Sequence, residues 1–107
     1  MLKIEITQEL KDKFKVALEN ALMKPISKVN IEDFDNEGIY QFRFVDDVSS
    51  WHMELDKNPH DEAWYTLHCS NQKLELPLRY ITNIKLFCMQ IARIKQMQTN
   101  HVDGKNK

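Results

Sequence analysis

The sequence is poor in glycine and in cysteine. With 2 Gly among 107 residues, it contains neither of the glycine-rich loop patterns that cradle phosphate groups. With 2 Cys, Cys69 and Cys88, it has too few cysteines for the disulfide framework of a small secreted domain. We therefore predict two reduced, buried thiols in a cytoplasmic protein.

The sequence also lacks a long apolar segment. No run approaches the ~18 consecutive apolar residues of a membrane-spanning helix, and Lys3 and Glu5 stand where a signal peptide would have its apolar region. A content of 42% hydrophobic and 29% charged residues is typical of a soluble globular domain. We expect no membrane contact, a single domain over residues 1–98, and a disordered polar tail over 99–107.

Helical periodicity marks both ends of the chain. The first pattern predicts a helix from about 7 to 23, with Thr7 as its N-cap and its end before Pro25. The second predicts a closing helix from about 77 to 97, with Pro77 in its first turn. Each helix has one apolar stripe, so each needs a partner layer to cover it.

Between the helices, apolar and polar residues alternate as they do in β-strands. The interpretation of residues 26–34 stays open between a strand and a short helical turn. Later strands are expected near 40–44, 51–55, 63–69 and 74–76, with a loop over 57–62. We predict an α+β fold, in which an antiparallel three- to four-stranded meander carries the N-terminal and the C-terminal helix on one face. The predicted core is Phe14, Leu18, Phe42, Phe44, Met53, Leu67, Ile84, Phe87 and Ile91.

Charge is segregated along the chain. The total formal charge is −1, but residues 29–62 carry −8, between a start of +2 and a final segment of +5. If the turns of the meander come together, the acids form a concentrated negative field that would speed association with a basic partner. Turn geometry by itself also favours Asp, so that simpler interpretation stays open.

These acids lead to a hypothesis about function: a non-enzymatic inhibitor that engages a basic protein, such as a nuclease, through an acidic surface. A toxin immunity protein, an antitoxin and a phage-type inhibitor are the classes that fit, by analogy of size and charge. Asp46 and Asp47 are expected in an exposed turn as the central pair. The predicted partner-binding residues are Asp33, Asp35, Glu37, Asp46, Asp47, Glu54, Asp56 and Trp64.

Two alternative functions use other residues. The strand register brings His52, Glu54 and His68 together on the outer sheet face, which would suit acid–base catalysis in a small hydrolase. Trp64, together with basic residues on the closing helix, would suit a nucleic-acid-binding regulator. Because no catalytic or metal-binding spacing is present, we predict no enzyme activity, no cofactor and no metal.

The closing helix carries more apolar residues than one face needs. Leu86, Met89 and Met97 lie off its main stripe, and they allow a homodimer contact through this helix. On its remaining side, Lys85, Arg93 and Lys95 are few, and the acidic middle of the chain would repel phosphate. Binding of nucleic acid is therefore the less favoured alternative.

Overall fold

The computed structural model describes residues 5–33 and 39–105 and confirms the α+β class. Helix α1 comprises Gln8–Leu22, and it is followed by a five-stranded sheet, one strand more than the predicted maximum. The sheet is an antiparallel meander with its strands in chain order. The strands are β1 (Lys28–Asp33), β2 (Tyr40–Val45), β3 (Ser50–Asn58), β4 (Asp61–Cys69) and β5 (Gln72–Pro77), and helices α2 (Leu78–Ile81) and α3 (Ile84–Lys105) follow.

The N-terminal part of the fold follows from local signals. The Oγ1 of Thr7 accepts a hydrogen bond from the backbone N–H of Leu10 at 3.1 Å and caps α1, as predicted. Within the ambiguous segment 26–34, Lys28–Asp33 forms edge strand β1. Its start is fixed because both the N–H and the hydroxyl of Ser27 donate to the Val45 carbonyl of β2.

Two predicted boundaries are wrong, both for local reasons. The loop expected over 57–62 is much shorter, because β3 and β4 extend towards each other and a bulge at Lys57/Asn58 absorbs the change of register. The closing helix does not begin at Pro77, which ends β5 in an extended conformation. Instead the short α2 stops at Thr82, and α3 starts afresh with the side chain of Asn83 capping the N–H of Leu86 at 3.1 Å.

Helix α3 is the last element that the structure describes. Its backbone continues to Lys105. None of the helices in the described ranges is long and apolar enough to cross a membrane.

A single core lies between the helices and one face of the sheet. Phe42 of β2 packs against Phe14 of α1 and Phe87 of α3, with ring centroids 5.7 Å and 5.3 Å apart. Both helices therefore cover the same face, as predicted. All of the predicted core residues are buried except Ile84, which is half-buried and packs against the core.

Candidate binding surface

The opposite face of the sheet presents polar side chains and one aromatic ring. The antiparallel register places alternate residues of all five strands on this outer face. Glu32 on β1 and Glu54 on β3 both flank Gln41, while Asp56 and Glu75 both flank Thr66. We call these four acids, Glu32, Glu54, Asp56 and Glu75, the acidic patch.

The centre of the acidic patch is electrostatically strained. Glu54 lies opposite His68 in the register, and Oδ2 of Asp56 is 3.0 Å from Nε2 of His68. The other oxygen of Asp56, Oδ1, is buried and has no hydrogen-bond donor among the described residues. Burial, and then repulsion from the Glu54 carboxylate, raises the pKa of Asp56 above its ordinary value, against the opposing effect of His68. A cation placed here from outside would therefore relieve an unfavourable charge arrangement.

Trp64 stands on the same face, beside the acidic patch. It lies on β4 two residues before Thr66, and it faces Pro77 of β5 across the ladder. Trp64 is 40% exposed. Strand β1 is three strands away from β4 and does not cover this ring. The outward position predicted for Trp64 is thus confirmed.

The prediction for Asp46 is wrong in one respect. The residue lies in the β2–β3 turn as expected, but its side chain is turned inward and is only 2% exposed. Its Oδ2 accepts from Nζ of Lys24 at 2.8 Å, and its Oδ1 accepts from the N–H groups of Val48 and Ser49, each at 2.8 Å. These contacts, with the Lys24 hydrogen bond the largest, hold the pKa of Asp46 far below its ordinary value. Asp46 therefore organises the turn and is not available to a partner.

The acidic turns do not all lie at the same end of the sheet. In a meander, successive turns lie at alternate ends of the sheet. Asp33, at the end of β1, pairs with Tyr40 and lies at the end of the sheet where β3 leads into β4. Asp47 is exposed in the β2–β3 turn at the opposite end. Asp35 and Glu37 lie outside the described residues.

The other candidate groups are placed as follows. His52 is on the outer face, where it pairs with Arg43 of β2, while the residue that pairs with His68 of β4 is Glu54. On α3, Lys85 and Arg93 are exposed, whereas Nζ of Lys95 lies 4.8 Å from the centre of the Trp51 ring.

Both thiols are buried. Burial raises the pKa of Cys69 and raises that of Cys88 to about 12, so neither has the lowered pKa of a nucleophilic cysteine. Among the residues that the structure describes, no three His, Cys, Asp or Glu side chains form a group that could hold a metal ion.

The sequence prediction included Glu54, Asp56 and Trp64 but left out Glu32 and Glu75. Both omitted residues are exposed. The missing information was strand register: once β1 is known to be a strand, Ile31 points inward and Glu32 must point outward. Comparisons with protein-family models, with curated proteins and with solved structures found no match.

Proposed function

We propose that this protein is a non-enzymatic binding protein that captures a basic protein partner on the outer face of its sheet. The observation that carries the proposal is the position of the exposed Trp64 ring beside the strained acidic patch. Aromatic residues that combine a large apolar area with few rotatable bonds are frequent energetic centres of protein interfaces. Acids around such a centre accelerate encounter with a basic surface.

The electrostatics of the free protein favour this assignment. Asp56 carries a charge that burial and Glu54 both oppose, and its Oδ1 atom has no donor within the described part of the chain. An arginine or lysine of a partner, placed over the acidic patch, would supply the opposite charge. Small inhibitors of nucleases use carboxylates in this way, in place of phosphate groups, so immunity proteins, antitoxins and phage-type inhibitors remain the favoured classes.

The experiment has two stages. A photo-crosslinking amino acid replaces Trp64 in the host cell, and the same group replaces Met89, which is 55% exposed on α3, as the matched control. We expect a basic protein crosslinked from position 64 and not from position 89. Crosslinking from position 89 alone would move the interface to the helix layer and refute the proposal.

The second stage measures binding kinetics with the protein so identified. Glu54→Gln with Glu75→Gln should slow association and flatten its dependence on ionic strength, whereas Trp64→Ala should speed dissociation by ~30-fold, the effect of a hot spot near 2 kcal/mol. Glu9→Gln is the control, because Glu9 is an exposed acid on α1. Glu9→Gln removes one charge where the double variant removes two, so an effect about half as large would show that only the total charge matters.

A second candidate function is acid–base hydrolysis, favoured by the 3.0 Å contact between His68 and Asp56. A carboxylate that orients an imidazole is a recurrent acid–base arrangement. Here, however, burial and then repulsion from Glu54 raise the pKa of Asp56, which weakens the support that this carboxylate would give to an imidazolium. Assays of the purified protein on RNA, DNA and peptides, with His68→Ala as control, test this alternative directly.

A further inference from the structure

The edge of the sheet formed by β1 has features of a second binding site, distinct from the outer face. β1 stands at one end of the strand order and pairs with β2 alone among the described strands. Its six residues keep a continuous register with β2, without a bulge. A regular edge strand offers a row of backbone N–H and C=O groups to an incoming strand.

A basic cleft adjoins this edge. The cleft lies between α1 and β1 and has a volume of about 340 Å³. Its charged side chains are three lysines and one acid, Asp12, which also accepts a hydrogen bond from Gln8 at 2.9 Å. The lysines are Lys11, Lys15 and Lys28.

The spacing of two of these lysines suits an extended chain. Lys11 and Lys15 are four residues apart on α1, so their backbones are separated by ~6 Å along the helix axis. Alternate residues of a strand, which point to the same face, are separated by ~6.6 Å. Acidic side chains at positions i and i+2 of a strand added to β1 could therefore each meet one lysine.

We propose that the β1 edge and its basic cleft bind an extended acidic peptide segment, which adds to the sheet as a sixth strand. Main-chain pairing along β1 would give affinity, and ion pairs with Lys11, Lys15 and Lys28 would select acidic side chains. A second copy of this chain fits less well, because β1 pairing with β1 would bring two lysine-lined clefts together. A nucleic acid would satisfy the lysines but not the strand edge.

The test uses the full chain, labelled with nitrogen-15, and a synthetic peptide of alternating Val and Glu. On addition of the peptide, we expect the NMR chemical shifts of the backbone amides to change along Lys28–Asp33 and at Lys11 and Lys15. The same peptide with Lys in place of Glu should not bind. Two further Val/Glu peptides are N-methylated on every second residue, one at the odd positions and the other at the even positions. Only one of the two should lose binding, because only alternate amides of an added strand face β1.

Variants of the protein test the lysines. Lys11→Gln with Lys15→Gln should weaken binding of the Val/Glu peptide by about tenfold, the combined effect of two exposed ion pairs. Lys13→Gln is the matched control, because Lys13 lies on the same helix and pairs with Glu9 outside the cleft; its effect should stay within about twofold.

Several results would overturn the proposal. One is the absence of chemical-shift changes in the β1 amides when the Val/Glu peptide is present at millimolar concentration. Another is full binding by both N-methylated peptides, which would mean that the lysines attract the acidic peptide without backbone pairing to β1. A third is tighter binding of a single-stranded oligonucleotide in the same cleft. A fourth is concentration-dependent dimerisation that shifts β1 without peptide, which would assign the edge to a second copy.

Discussion

Replacement of Asp46 by alanine tests the inference that this acid organises the β2–β3 turn. The substitution removes the acceptor for Lys24 at 2.8 Å and for the N–H groups of Val48 and Ser49. Hydrogen bonds to a charged group contribute ~1.5–3 kcal/mol each. The expected cost is smaller than the sum of the three hydrogen bonds, because Val48 and Ser49 are exposed and water can bind their freed N–H groups.

We therefore expect Asp46→Ala to lower the free energy of unfolding by about 2–3 kcal/mol. Such a loss is large for a domain whose total stability is ~5–15 kcal/mol, and it corresponds to a fall in Tm of roughly 10–20 °C. Asp46→Asn keeps a carbonyl acceptor but not the charge paired with Lys24, so its cost should be smaller. Asp47→Ala, at the exposed neighbouring position, is the control and should change stability by less than about 0.5 kcal/mol.

The dependence of the free energy of unfolding on pH gives a second test of the role of Asp46. The pKa of Asp46 is lowered in the folded state, so its contribution is fully present above the unfolded-state pKa of about 3.9 and is lost as the pH falls below it. The wild type should lose stability on acidification more steeply than Asp46→Ala, and the two curves should converge at low pH. Denaturant titrations between pH 2 and 7 measure both. Parallel curves, or equal stability at pH 7, would refute the structural role of this carboxylate.

Three further predictions concern the core, the acidic patch and catalysis. Phe87→Ala should cost about 3–5 kcal/mol, because the ring is fully buried and contacts two other core rings; a loss under 1 kcal/mol by denaturant titration would contradict the packing of α3 on the sheet. Glu54→Gln should lower the pKa of Asp56 by removing the nearest repulsion while burial still raises it, and an unchanged carboxyl titration by carbon-13 NMR would mean that burial acts alone. The purified protein should not hydrolyse RNA, DNA or peptides, and turnover that disappears in both His52→Ala and His68→Ala, with folding intact, would overturn this expectation.

Local patterns in the sequence determined most of the fold. The cap at Thr7, the stop before Pro25 and the alternation in β2 to β4 predicted the elements in their correct order. The same alternation placed Glu54, Asp56 and Trp64 on the outer face, because side chains on a strand point to opposite sides in turn. These features depend on neighbours within a few residues, so a single sequence is enough to predict them.

Features that depend on distant residues were decided only by the tertiary structure. The identity of Lys28–Asp33 as an edge strand depends on its pairing with β2, and the position of Asp33 and Asp47 at opposite ends of the sheet depends on the direction of each strand. The sequence showed that Asp46 lies in a turn, but not that Lys24, 22 residues earlier, pairs with it. An acid is exposed or internal according to what packs beside it, and for Asp46 that neighbour is brought by the folding of α1 against the sheet.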